Sequence, residues 1–251
     1  MALININDIK TPEELERIAR RDLEGKTLAE IAETIRESDK TSRVSSKAGV
    51  GYVVEEGYLG IKRNNVKGAD IPHLDVEVKS SALKTAKDGL LRSKEPVSLN
   101  IINYMEEHVN STLKESSLYK KNRNILFVFY FHDKGKERSE YLIKYVFLWK
   151  MDDSVLAELE PDYEAIIAKV RSGNAHNIHQ KEHKYLTLCP KHGGSKKNPN
   201  DNKWKTRQPF SDAPGEIRAY RLKCKYVNMI IQRELAKRGP EAQSEFVAEK
   251  S

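Results

Sequence analysis

Asp70, Glu77 and Lys79 are the residues whose types and spacing most directly suggest chemistry. They lie in Gly68-Ala-Asp-Ile-Pro-His-Leu-Asp-Val-Glu-Val-Lys-Ser80, where residues 74–79 alternate: Leu74, Val76 and Val78 to one side, Asp75, Glu77 and Lys79 to the other. That is the period of a half-buried β-strand, and it puts Glu77 and Lys79, roughly 6–7 Å apart, on the same face. Asp70 precedes them in a turn-prone Asp-Ile-Pro segment, in which Pro72 ends any helix and starts extended chain. The spacing predicts two carboxylates and one ammonium gathered at the end of a strand. Such a group suits phosphodiester hydrolysis. Carboxylates are hard ligands for Mg²⁺, which keeps several waters and bridges to phosphate oxygens. The metal polarises phosphorus and lowers the pKa of a water that attacks in line, while the lysine holds that water or neutralises charge on the phosphate. An exposed strand face carrying only a salt bridge is the alternative, and Glu-x-Lys alone does not separate the two.

The flanking periodicities name the elements that must position this group. Thr11 is a candidate N-cap for a helix starting at Pro12, with Glu14 three residues on and Gly25 as its break. Leu28, Ile31, Ala32 and Ile35 form the stripe of a second helix. The pair resembles half of a helix-turn-helix, but no helix of base-reading residues follows, so packing explains it better. Residues 38–48 read as a polar loop. Val50, Val53, Val54 and Tyr58 recur at helical spacing, ended by Gly57 or Gly60, with Glu55 and Glu56 on the last turn as possible further acids.

Beyond the central strand, residues 81–93 read as a basic loop with Lys84, Lys87 and Arg92, and residues 97–114 as helical at their start. Lys120, Lys121 and Arg123 lead into residues 124–131, a continuous apolar run expected of a strand buried on both faces. They could reach the acids if that strand neighbours the first. Residues 141–149 read as its hairpin partner across Asp133-Lys-Gly-Lys136, and residues 161–170 as an amphipathic helix with Pro161 in its first turn and Gly173 as stop. Residues 185–188 and 218–226 alternate as strands, a helix over 227–238 follows, and the tail after Pro240 frays. The order predicts a mixed α/β or α+β fold. It is read as one domain with a helical lobe over 1–46, a catalytic core over 47–190, a DNA-recognition segment over 191–231 and a frayed tail over 240–251.

The net charge of +7 favours a polyanionic partner. No apolar run is long enough to span a bilayer and no signal pattern opens the chain, so no membrane role is expected. Two cysteines, Cys189 and Cys224, make no disulfide framework, and a reducing cytoplasm is the default. Cys189-Pro-Lys-His192 has a zinc-ligand spacing, but His176, His179 and His183 fall at irregular intervals with no second cysteine pair. Phosphate or base contact is the better reading of His183 and His192. Residues 191–207 carry six Lys or Arg against one acid, a cationic loop in which Lys191, Lys205 and Arg207 would neutralise phosphates or read base edges.

With these motifs in place, the chain resembles the MutH-like endonucleases, a group of the mismatch-repair nicking enzyme MutH and type II restriction enzymes that read GATC. Lys26-Thr-Leu-Ala-Glu-Ile-Ala32 looks like the family's early helix, and Lys47-Ala-Gly-Val-Gly-Tyr-Val-Val-Glu-Glu56 like its Lys-Gly-x-x-Gly-x-x-x-Glu helix. Asp70-Ile-Pro-His-Leu-Asp-Val-Glu-Val-Lys79 matches its Asp-Phe-Pro-x-Leu-Gly-x-Glu-Leu-Lys strand. His183-Lys-Tyr-Leu-Thr-Leu-Cys-Pro-Lys191 and Arg218-Ala-Tyr-Arg-Leu-Lys223 resemble its late strand and the Arg-x-Phe-Tyr-Leu-Lys after its DNA-reading loop. The resemblance implies a restriction-endonuclease-like core, a mixed sheet flanked by helices. It implies Mg²⁺ held by Asp70 and Glu77 with Glu55 assisting, Lys79 at the attacking water, and a further lysine ahead of the second strand that has no unique match, Lys121 being chosen over Lys120 and Arg123. It implies double-stranded DNA as substrate; with the basic segments read above, the residues expected to meet it are Lys47, Lys84, His183, Lys191, His192, Lys205, Arg207, Arg218, Tyr220 and Lys223. The enzyme would act as a monomer or homodimer, with a cognate DNA methyltransferase as system partner. Asp75 departs from the family's glycine and adds a carboxylate beside the site, and the segment between Lys191 and Arg218 does not align residue by residue.

Overall fold

Strands that are apolar on both faces form the centre of the first of two units. The computed structural model describes residues 3–35, 49–61, 68–110, 112–191 and 203–240. Lys47, His192 and the tail beyond residue 240 lie outside them. The first unit draws on Met1–Glu95, Asn124–Lys150 and Asn228–Ser251, the second on Pro96–Arg123 and Met151–Val227.

Numbered in chain order, β1 (Glu77–Thr85), β2 (Leu91–Ser93), β4 (Asn124–Phe131) and β5 (Ile143–Lys150) make the first unit's mixed sheet, in the order β2-β1-β4-β5. β1 runs parallel to β4 and antiparallel to β2, and β4 pairs with β5 as the hairpin the sequence predicts. Leu126 and Val128 join the cluster formed by Leu15, Leu23, Leu28, Ile31, Val53 and Val54 from the helices. The alternate residues Phe127 and Phe129 are also fully buried, with ring centroids 5.2 Å apart, and Phe129 stacks on Phe147 of β5 at 5.6 Å. Burial of both faces is why the run over 124–131 has no polar alternation.

Helix α1 (Pro12–Leu23) is capped by Thr11, whose hydroxyl accepts from the Glu14 N–H at 3.1 Å. In α2 (Leu28–Thr34), Thr27 and Glu30 form a reciprocal capping box. Both helices bury apolar stripes in the cluster, the packing role expected of them. Gly49–Gly51 is a helical turn that runs on as a π-helix over Tyr52–Tyr58, whose end carries a bond from Leu59 N–H back to Val54 C=O.

In the second unit, β3 (Val97–Ile101), β6 (Leu186–Pro190) and β9 (Arg218–Leu222) form an antiparallel sheet in the order β3-β9-β6. β7 (Lys205–Thr206) pairs with β8 (Gly215–Glu216). Three expectations are corrected. Residues 97–101 are a strand rather than a helix start, because β9 offers them a ladder, and the helix there is only Tyr104–Glu107. The long helix begins at Asp153, capped by Asp152, and contains Pro161 in its interior. Pro161 removes one ladder donor, but the next residue, Asp162, accepts from the backbone N–H groups of Lys184, Tyr185 and Leu186 at 2.6–2.8 Å and ties the helix to β6. The last helix spans Cys224–Arg238. Among the described residues no helix is long and apolar enough to cross a membrane.

Phe129→Ala is expected to lower the unfolding free energy by about 3–5 kcal/mol, and Phe129→Leu by less, in urea titrations of the purified protein. An alanine variant as stable as wild type would contradict the two-sided burial of β4.

Candidate active site

The seven-residue interval between Asp70 and Glu77 is closed by a turn. Ile71 and Val76 form an isolated antiparallel bridge, Ile71 N–H donating to Val76 C=O at 2.9 Å and Val76 N–H to Ile71 C=O at 3.2 Å. Inside it, Leu74 N–H donates to Ile71 C=O and Asp75 N–H to Pro72 C=O, each at 3.2 Å. The chain re-enters the strand through Asp75, whose φ is +54°. Aspartate is among the few L residues that adopt this left-handed region at modest cost, and glycine adopts it most readily. The turn thus gives a conformational reason for a glycine at this place in the family pattern. Asn124, the first residue of β4, donates its side-chain amide to the Asp75 carbonyl at 3.1 Å and carboxylate at 3.4 Å. Asp75 is therefore tied into the turn.

Residues that flank a bridged pair face one another across the ladder, so Asp70 comes to lie opposite Glu77. Asp70 N–H donates to Glu77 Oε2 at 3.2 Å, and Val78 N–H donates to Asp70 Oδ2 at 3.0 Å. Lys79 Nζ is ion-paired with Glu77 Oε1. Leu74, Val76 and Val78 are buried and anchor the turn, and Glu77 is itself only 2% exposed, while Asp70 and Lys79 stay half-buried. At this end β1 pairs with β4 from Glu77 onward, and β2 joins it only at Leu83–Thr85. The donors that meet here are hard carboxylate oxygens, which fit an ion of the Mg²⁺ type, and such an ion needs only one or two carboxylates beside phosphate and water.

The other expected residues are distributed as follows. Glu55 lies half-buried on the π-helix. Among the described residues no group of three or more His, Cys, Asp or Glu side chains gathers to hold a metal, so neither a third acid at Asp70 and Glu77 nor a zinc set is assembled there. Lys121 lies in the last turn of the helix Ser117–Asn122, in the second unit. Lys84 is exposed on β1, Lys191 is exposed at the end of β6, and Lys205 and Arg207 line a hollow of about 520 Å³ with Gln208, Ser211, Asp212 and Pro214.

Four of the residues expected to contact DNA are buried or bonded within the second unit. His183 is 3% exposed, and burial lowers the pKa of its imidazole despite the nearby Asp162. Arg218 is buried, donating to Glu216 at 3.0 Å and to the Ile178 carbonyl. Tyr220 is fully buried, and burial followed by the neighbouring Glu107 raises its phenol well above the ordinary value. Lys223 donates its ammonium to the His183 carbonyl. These four are better read as supports of the second unit. Asn124 is the residue that sequence reasoning missed; its one signal is a side-chain amide opening an apolar run.

An acid pair and a lysine carried on a turn into a mixed sheet with helices define a restriction-endonuclease-like fold. Comparison with known proteins agrees. Residues 59–162, which contain the turn and the whole four-stranded sheet, match the family described as DNA mismatch repair enzyme MutH. The type II restriction enzyme Sau3AI of Staphylococcus aureus is 31% identical over 190 residues, covering 75% of this chain and 37% of that protein. The chain belongs to the MutH-like endonuclease family. It spans little more than a third of the length of that relative.

Asp75→Gly is expected to match or slightly exceed wild-type stability, whereas Asp75→Val, a β-branched residue at positive φ, loses about 1–2 kcal/mol. Urea unfolding checks both, and a valine variant as stable as wild type would show that the turn does not need the left-handed residue.

Proposed function

We propose that this chain carries the cleavage activity of a type II restriction endonuclease that hydrolyses double-stranded DNA at a short specific site, with GATC as the best candidate. The observation that carries the reading is the meeting of Asp70, Glu77 and Lys79 at one turn. Similarity to a restriction enzyme over three quarters of the chain supports it. Mg²⁺ is the proposed cofactor, and when bound it would polarise the scissile phosphate and acidify a water. Asp70 and Glu77 would hold the ion through their carboxylates, and Glu55 would assist only by moving from its place on the π-helix. Lys79 orients the attacking water and offsets charge that builds on the phosphate, and Lys121 is the proposed second cation. Lys84, Lys191, Lys205 and Arg207 meet the DNA backbone. A palindromic site cut on both strands requires a homodimer or two visits by a monomer, and a DNA methyltransferase protecting the same site is the system partner expected in the cytoplasm.

A second reading, a strand-specific nicking enzyme of mismatch repair, is favoured by the description of the matching family. Supercoiled plasmid incubated without any partner separates the two: linear product supports restriction, persistent nicked circles support repair.

Glu77→Ala is expected to lower the cleavage rate by at least about 10²-fold and Lys79→Ala by about 10²–10³-fold. Chelation by EDTA should stop cleavage, and added Mg²⁺ should restore it. Wild-type cleavage rates for either variant would remove this turn from the catalytic site, and a wild-type protein that binds DNA but does not cut it with Mg²⁺ would leave a non-catalytic DNA-binding module. Separately, Lys205→Ala and Arg207→Ala should each weaken DNA binding across all sequences and reduce the slope of log K against log salt by about 1. Unchanged slopes would remove that segment from the interface.

A further inference from the structure

Phe210 is the most exposed of the large apolar side chains in the described residues, at 73%, and its backbone is left-handed, with φ +58°. A bulky residue in that region is an outlier. Neither the backbone nor the exposed ring is what folding alone selects, because glycine or a polar turn residue would suit both better. The backbone around it is nonetheless rigid. Gln208, two residues earlier, is buried, accepts from Ala175 N–H at 2.7 Å and donates to the Ala213 carbonyl at 2.5 Å. On the other side Gly173, at φ +72°, lies so close that an added Cβ would stand 2.6 Å from the Phe210 carbonyl oxygen. The ring itself rests edge-on against His108, centroids 5.5 Å apart at 84°. Phe210 is thus an exposed aromatic on a braced loop, adjoining the hollow lined by Lys205, Arg207 and Ser211.

Resting on the reading of this chain as a DNA endonuclease, we propose that Phe210 is a specificity-determining residue that inserts as an apolar wedge at a base step of the bound duplex. Lys205 and Arg207 beside it hold the flanking phosphates. Apolar wedges of this kind unstack a step and bend the duplex, and steps that unstack easily are favoured. A fixed ring loses little side-chain freedom on insertion, which is the advantage of bracing it.

The test uses duplexes carrying the mapped cleavage site, with 2-aminopurine placed at successive positions. Wild type should raise the 2-aminopurine emission at one step. Phe210→Gly, which suits the left-handed backbone, should unfold in urea no earlier than wild type, yet bind roughly 5- to 150-fold more weakly, abolish the emission change and keep the salt slope. Phe210→Trp should restore affinity and emission. A glycine variant with wild-type affinity and emission overturns the wedge and leaves the exposed ring to a contact other than DNA. If wild type neither binds nor cuts duplex DNA, the endonuclease reading fails first; if wild type cuts and the glycine variant binds equally well, only the role of Phe210 fails.

Discussion

The Ile71–Val76 bridge is the interaction on which the candidate site depends. Two backbone hydrogen bonds turn a separation in sequence into opposition in space, so that Asp70 stands across from Glu77 instead of trailing it along an extended strand. Lys79 needs no such device, since two residues along a strand already share a face. The bridge is itself held from below by Leu74, Val76 and Val78, and from the side by Asn124 of β4. The aromatic-rich sheet therefore does more than stabilise the unit. By pairing β1 with β4 from Glu77 onward, it fixes the strand from which Glu77 and Lys79 project.

Where local chemistry decided the outcome, the sequence was legible. Thr11 announces a helix start, the run over 124–131 announces a buried strand, and Asp70, Glu77 and Lys79 announce themselves by type and spacing. What was not legible depended on partners distant in the chain. Residues 97–101 show apolar positions compatible with a helix, and only their ladder with β9, more than a hundred residues later, makes them a strand. Pro161 reads as a helix start because the tie from Asp162 to β6 cannot be seen in the local pattern. Arg218 and Tyr220 read as DNA contacts for the same reason: a strand that alternates basic and aromatic residues looks like a surface, and only its central place between β3 and β6 buries them.

Several features of the chain run against folding stability. Glu77 is a nearly buried carboxylate, and burying a charge costs free energy that even a close partner rarely recovers in full. An apolar pair in place of Glu77 and Lys79 would serve the strand as well or better. Lys79 is placed on the carboxylate that a cation would also use, so the same oxygens that burden the fold are the ones that give the turn its chemistry.

The backbone follows the same logic. Among the described residues, Asp75 and Phe210 are the non-glycine residues with positive φ. One closes the turn that brings the acids together; the other holds an aromatic ring in solvent beside a cationic hollow. Strained conformations persist only where the surroundings over-determine them, and both residues are held in this way, Asp75 by Asn124 and Phe210 by the packing at Gly173 and the bonds of Gln208. A sequence free to optimise stability alone would relax both positions to glycine. That neither is glycine places the two departures from local preference in two segments, one in each unit, that the proposed function also singles out.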